Sequence, residues 1–511
     1  MTTGAAPPTS GPVHRLGRAS LLAGLLPLLA VLLLPPPADM GLEAWRTLGV
    51  AGLMAVWWVT EALPLPATAL LPLVLFPPLG LASIGDTASP YANPVIFLFL
   101  GGFVLAAALT RSGLQRRIAL AIVAMVGSGP GGLLAGFMVA TAFLSMWVSN
   151  TATTLMMLPI ALSVVALGRA GVAGVGPGSA PHADAGGAGD GPRDAATAEA
   201  SAPDPSAFAT VLLLGIAYAA SIGGMATLIG TPPNALLAGF LDQTYDIRLG
   251  FLEWSMIGLP VSAVGLAVAW LVLARRVDDA PPGLDVMSQS RAALGHWRDS
   301  ERAVAVVTAA TAAAWVCRPL LERWIPGLSD AGIAMTASLV LFVASAARPS
   351  REALLTWDDV EGLPWGVLLL IGGGLSLASV IQESGLAGWI GGTLGAVSPW
   401  PTLLVVGAVA ATIVVLTELA SNTATAATFL PVGAAVGIGA GLGPFSLAAA
   451  VALSSSAAFM MPVATAPNAV VYGSGLVPMR AMVRAGVWLN LAFIVLVTVA
   501  VRLLAPLVAG G

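Results

Sequence analysis

The chain has 511 residues, 57% of them hydrophobic and only 9% charged, with a formal net charge of −4. A soluble domain carries about 25% charged residues, so an ordinary cytosolic enzyme is excluded, and the slight acidity offers nucleic acid no partner. The apolar residues fall in separate blocks near the ~20 residues that cross a bilayer core as a helix, which predicts an all-α polytopic membrane protein.

In chain order, His14, Arg15 and Arg18 precede an apolar run from Leu21 to Leu34. Only Pro35-Pro36-Pro37 follows, with no small-residue cleavage pattern, so the run reads as a retained first helix rather than a signal peptide. Eleven spans are predicted, near 21–38, 42–60, 66–83, 92–110, 207–241, 254–274, 303–320, 331–347, 364–382, 445–475 and 486–508. Two further apolar segments, 131–168 and 400–438, carry a polar break in the middle and read as re-entrant helical hairpins. Residues 169–206, rich in Gly, Ala, Pro and Asp, bury too little to fold and read as a disordered cytoplasmic loop. Residues 276–301 read as a cytoplasmic linker. All basic residues are arginine, and placing the tail 1–20 in the cytoplasm puts sixteen of the 21 inside, as the positive-inside rule asks. The C-terminus then lies outside, and the expected location is the cytoplasmic (inner) membrane.

The two halves repeat. WVSNTATTLMMLPI at 147–160 parallels LASNTATAATFLPV at 419–432, GTPPNA at 230–235 parallels ATAPNA at 464–469, and FLGGFVLAAALTRSGL at 99–114 parallels LIGGGLSLASVIQESGL at 370–386. Thr151 and Thr231 are 80 residues apart, Thr423 and Thr465 only 42; the excess of 38 is the length of the 169–206 insertion. Five predicted crossings separate the two SNT motifs, and an odd number turns one copy upside down relative to the other. Inverted repeats with polar breaks at matching places mark secondary transporters.

Ser149-Asn150-Thr151 and Ser421-Asn422-Thr423 interrupt apolar segments with residues that favour caps and turns. Backbone groups freed at that depth cannot face lipid, so they must line a polar cavity or hold a ligand. Gly230 to Asn234 and Ala464 to Asn468 break their spans with proline, giving opposed half-helix ends: carbonyls that suit a cation and N–H groups that suit an anion. With hydroxyls, amides and carbonyls but no carboxylate cluster, a monovalent ion such as Na⁺ fits better than a divalent one.

Glu61, Glu383 and Glu418 lie in or beside apolar segments, where a carboxylate is a functional candidate. For Glu61 and Glu418 structural support is the preferred reading, because neither is duplicated. The single cysteine, Cys317, excludes an internal disulfide. His14, His182 and His296 lie in polar stretches with no converging metal ligands, and no organic cofactor is expected.

These residues resemble the divalent anion:sodium symporter family over nearly the whole chain. The marks are TEALPLPATALLP (60–72), FLSMWVSNTAT (143–153), SIGGMATLIGTPPNA (221–235), TELASNTAT (417–425) and MPVATAPNA (461–469). The resemblance implies eleven spans, two hairpins, a homodimer and an elevator mechanism. A scaffold would comprise 21–118 (its first helix outside the repeat) and 302–395, and a transport domain 131–275 and 400–508. It implies a first Na⁺ site of Ser145, Ser149, Asn150 and Gly230, and a second of Thr417, Ala420, Asn422 and Ala464. Substrate carboxylates would meet Asn150, Thr151, Ser421, Asn422, Thr423 and Thr465. Ala466 departs from the pattern, which carries a second proline there.

The leading expectation is Na⁺-coupled symport of a C4-dicarboxylate such as succinate, malate or fumarate. A Na⁺-independent dicarboxylate exchanger, a sulfate or citrate symporter, and a non-transporting membrane sensor are the alternatives; an enzyme is not expected.

Overall fold

The computed structural model describes residues 13–37, 39–126, 129–172, 207–275, 294–346, 353–393 and 400–509. Among them there is no β-strand. The first part of the chain gives α1 (Val13–Leu33), α2 (Leu42–Thr60), α3 (Leu65–Thr68), α4 (Leu71–Leu75), α5 (Ile84–Ala88), α6 (Pro94–Ser112) and α7 (Leu114–Val126). Next come α8 (Pro130–Ser145), α9 (Asn150–Val172), α10 (Ala207–Gly224), α11 (Pro232–Tyr245) and α12 (Phe251–Ala274). The second half gives α13 (Asp299–Val316), α14 (Arg318–Leu321), α15 (Asp330–Ala346), α16 (Trp357–Glu361), α17 (Trp365–Glu383) and α18 (Leu386–Thr393). It ends with α19 (Thr402–Thr417), α20 (Asn422–Gly439), α21 (Gly443–Ser455), α22 (Ala466–Gly473) and α23 (Met479–Ala509).

Five of the described helices are long and apolar enough to cross a membrane, and seven more apolar stretches are shorter. Proline explains several of the short ones. The expected span 66–83 is two short helices, α3 and α4, because Pro64, Pro66, Pro72, Pro77 and Pro78 deny the segment its backbone donors. Side chains bond carbonyls of this segment: Trp58 Nε1 donates to Leu65 O at 3.2 Å, which also takes the Ala69 N–H, and the Tyr91 hydroxyl donates to Ala69 O. The expected spans 207–241 and 445–475 are likewise each two helices, α10 with α11 and α21 with α22, separated at the expected breaks.

Other boundaries move too. The first helix begins at Val13, inside the expected tail, and α9 runs to Val172, past the expected start of the loop. The rest of that loop, 173–206, and linker residues 276–293 lie outside the described residues, as do residues 1–12. Besides the short α5 and α16, two helices were not anticipated. α7 and α18 follow α6 and α17 after the duplicated Ser-Gly-Leu, where Gly113 and Gly385 take the left-handed conformation (φ 77° and 79°) that turns the chain.

The packing exchanges elements between the halves. α11 lies against α20 and α21 of the second half, while α22 lies against α9 and α10 of the first. α6 pairs with α15 and α17 with α11 and α20. The breaks are therefore surrounded by helices rather than by lipid.

Candidate functional site

A cavity of about 750 Å³ lies where these exchanged elements meet. Asn150, Thr151, Ser421, Asn422, Thr423 and Thr465 all line it, as do Ser149, Gly230 and Ala464. Four helices begin at its wall: α9 at Asn150, α11 at Pro232, α20 at Asn422 and α22 at Ala466. Proline and polar residues set those starts, since proline at the first helical turns forfeits only donors that the helix leaves unused. The N–H groups of a first turn have no partner within the helix and carry its positive end. The cavity thus collects four such ends without a lysine.

Behind each SNT turn sits a cluster of oxygens. The Asn150 amide points one terminal atom at Ser145 Oγ (2.6 Å), Ala220 O (3.1 Å) and Gly230 O (3.2 Å). Ser145 Oγ in turn lies 2.7 Å from Ala220 O and is fully buried. An amide oxygen in that place faces acceptors, so the NH₂ group belongs there until something positive lies between them. In the second half, Thr417 Oγ1 is 2.8 Å from Asn422 Oδ1 and 2.7 Å from Ser455 O. Ser145 and Thr417 do not line the cavity; they form the rear of the two clusters. Ala420 is buried beside the second turn.

Two buried asparagines brace the breaks at corresponding places. Asn234 Nδ2 donates to Thr227 O (2.8 Å) and Gly224 O (3.2 Å), and Asn468 Nδ2 donates to Met461 O (3.0 Å) and Ala458 O (3.2 Å). A Cβ on Gly224 would come within 2.5 Å of Asn150 Oδ1, and one on Gly230 would strike Gly224 O. The first cluster closes only because both positions lack side chains.

Sequence reasoning missed the rim. Arg111 and Asp359 line the cavity, 248 positions apart, joined by two 3.0 Å contacts, with Arg111 Nε also donating to Ala353 O. Gly362 and Pro364 beside them are exposed, so the cavity reaches the surface there. The signal lay in the repeat: Arg111 stands in TRSGL where the second copy has Glu383 in QESGL. Burial pushes the Asp359 carboxyl up, but hydrogen bonds from Thr356 and the Arg111 guanidinium outweigh it and hold it below the usual range.

The other end of α6 carries a second pocket. Asn93 to Val95, at its N-terminus, line a separate 310 Å³ pocket with Asp330, Arg318 and Arg248. A helix of 19 residues is about 28 Å long, so rim and pocket lie a membrane core apart. Here Asp330 accepts the Phe251 N–H at 2.7 Å, the first of α12, and Arg318 bridges Asp330 (3.3 Å) and Glu253 (3.5 Å). The rings of Trp147, Phe251 and Trp315 stack beside them, with Phe251 and Trp315 centred 4.8 Å apart. Trp147 directly precedes Val148 of the cavity lining, so the stack lies beside the segment that leads into the first SNT turn.

The three acidic candidates divide. Glu418 is 5% exposed and accepts four hydrogen bonds. Glu61 caps α2 in the left-handed conformation (φ 48°) with its side chain exposed. Glu383 accepts from Ser379 Oγ at 2.7 Å on an exposed face.

Interrupted apolar helices whose ends meet at one cavity define a membrane transporter. The family model described as the sodium:sulfate symporter transmembrane region matches residues 17–509, and the chain belongs to that family. It is 36% identical over 500 residues to the sodium-dependent dicarboxylate transporter SdcS of Staphylococcus saprophyticus, covering 96% of this chain and 92% of that one. The SdcS of Staphylococcus aureus strain bovine RF122 is also 36% identical, over 499 residues, covering 96% and 91%. The crystal structure of the Alcanivorax borkumensis YdaH transporter shares the fold, with a TM-score of 0.56 at 16% identity, covering 97% of this chain and 98% of that one.

Proposed function

We propose that the protein is a secondary active transporter coupling Na⁺ to the uptake of a C4-dicarboxylate such as succinate, malate or fumarate. The observation that carries this reading is the pairing of two buried oxygen clusters with one cavity at which four helices begin. Each cluster would hold one Na⁺ as cargo: Ser145, Ser149, Asn150 and the Gly230 carbonyl the first, Thr417, Ala420, Asn422 and the Ala464 carbonyl the second. Each asparagine then turns its Oδ1 to the ion and offers its NH₂ to the cavity.

The dianion would lie between the two SNT turns, one carboxylate meeting Asn150 and Thr151, the other Ser421, Asn422, Thr423 and Thr465. Two binding poles suit two carboxylates better than a compact sulfate. Helix N-termini attract the anion, and each bound Na⁺ adds a unit positive charge behind the turn. Without the ions the wall between the two SNT turns carries only partial charges, the Arg111–Asp359 pair lying at the rim, and this is the physical basis of coupling.

The elements α8–α12 and α19–α23 would move together against the rest, a scaffold that also forms the homodimer. By the arginine distribution the Arg111–Asp359 rim faces the cytoplasm. Support for the substrate class comes from the names of the SdcS relatives.

The test is uptake of labelled succinate by proteoliposomes. Uptake should rise sigmoidally with external Na⁺, ignore K⁺, and be competed by malate and fumarate. Equal uptake in choline medium driven by internal dicarboxylate would establish an exchanger, and stronger competition by sulfate than by malate would displace the substrate assignment.

A further inference from the structure

The two cation clusters are copies, but one of them has a neighbour that the other lacks. Position 418 carries glutamate where the first copy has Met146. Glu418 follows Thr417 at the end of α19, and its oxygens accept only. Oε1 takes the N–H groups of Phe459 (2.7 Å) and Met460 (2.9 Å) and the Asn490 amide (2.7 Å). Oε2 takes the N–H of Met461 at 2.9 Å. These three consecutive N–H groups lie within the unwound stretch between α21 and α22. Met461 O then accepts from Ala464 N (3.3 Å) and from Asn468 Nδ2 (3.0 Å). One carboxylate thus fixes the turn that ends at the Ala464 carbonyl.

The first copy does the same mechanical work with neutral groups. Thr227, at the position of Met461, donates its hydroxyl to Met146 O at 2.6 Å. Hairpin turn and broken helix are tied together in both halves. Only the second tie brings a carboxylate into a buried region next to the cluster.

We propose that Glu418 is a positioning residue of the second Na⁺ site, and that its charge makes this site the tighter of the two and the first to fill. The inference rests on the Na⁺-site reading given above. A neutral tie would hold the turn as well, as the Thr227–Met146 contact does; the carboxylate adds an attraction for a cation. Even at a high effective dielectric, a unit charge just beyond the ligand shell changes cation affinity by about tenfold or more. Binding then has an order: the second site fills at low Na⁺, fixing the Ala464 turn, and the first fills afterwards with the substrate.

The experiment titrates Na⁺ onto the purified full-length protein without substrate, following thermal stabilisation at constant ionic strength. The wild type should show two phases. Ser145→Ala should keep the low-Na⁺ phase and Thr417→Val only the high-Na⁺ phase. Glu418→Gln should move the low-Na⁺ phase upward by about tenfold or more and leave the other in place, while Glu418→Asp, which keeps the charge, should restore most of it. Asn490→Leu should lower the melting temperature yet keep the low-Na⁺ phase, separating support from charge. A low-Na⁺ phase surviving in Thr417→Val, or a Glu418→Gln variant that loses only stability, overturns the proposal. If Glu418→Gln fails to fold, the Ser145 and Thr417 variants decide alone. A wild type without Na⁺-dependent stabilisation would strike the Na⁺ reading itself, a different failure.

Discussion

Asp330 supplies a test of what holds the start of α12 against α15. Replacing it by alanine strips the Phe251 N–H, buried at the start of α12, of an acceptor at 2.7 Å and takes one of two carboxylates from Arg318. An unsatisfied buried donor costs about 1–3 kcal/mol, so the contact between α12 and α15 should weaken by about 5- to 150-fold. Asparagine should behave differently. Burial pushes the Asp330 carboxyl up, and Arg318 and the Phe251 N–H recover only part of that. The folded joint therefore holds a proton on Asp330 more tightly than the unfolded chain does, and Asp330→Asn keeps the acceptor while removing the charge. At neutral pH this variant should match or exceed the wild type in stability, whereas Asp330→Ala falls below it.

The pH dependence has a definite sign. A group whose pKa is raised in the folded state loses stability as pH climbs from its ordinary value to its raised one. This contribution should grow on acidification and be absent in Asp330→Asn. Melting curves across pH give one readout. The labelling rate of Cys317, the single cysteine and exposed two residues after Trp315, gives another with an impermeant maleimide. Alanine should speed labelling and asparagine should not. An asparagine variant less stable than the alanine one, or a wild-type contribution from this joint that shrinks in acid, would refute the reasoning.

Three further outcomes are expected. Asn150→Asp and Asn422→Asp should abolish succinate uptake in well-folded protein, because a second negative charge would face the dianion, whereas mere caps would tolerate Asp; near-normal uptake would remove both residues from the site. Gly224→Ala should disrupt Na⁺-dependent stabilisation of the first cluster by pushing on the Asn150 amide, while Ala458→Gly, at the matching position of the second break, should cost only slight stability; melting curves with and without Na⁺ compare them. Burial pushes Glu301 up, but the Arg298 backbone N–H and the Arg117 guanidinium outweigh it and hold its carboxyl below the ordinary range. The stability it provides should be full above the ordinary Glu range and be lost as pH falls towards the lowered value, and Glu301→Gln should flatten that part of the melting profile.

What the sequence determined by itself is local in origin. Proline has no N–H and Ser-Asn-Thr compete for backbone groups wherever they stand, so the breaks near residues 149, 230, 421 and 464 were readable from residue type. Their duplication made them a site rather than accidents. The same chemistry at the prolines between 64 and 78 rules out the continuous helix expected over 66–83. The turns at Gly113 and Gly385 stood in the repeat as Ser-Gly-Leu, unread because a helix and its continuation have the same apolar pattern. Tertiary structure decided everything that joins distant positions: Ser145 against the Ala220 carbonyl 75 residues on, Thr417 against Ser455, Arg111 against Asp359, and Glu418 against Phe459 to Met461 and Asn490. A backbone carbonyl has no letter in the sequence, and a carboxylate's partners depend on which unwound segment packs beside it. The exchange of α11 and α22 between the halves makes those choices, and it is a property of helix packing that no single segment encodes.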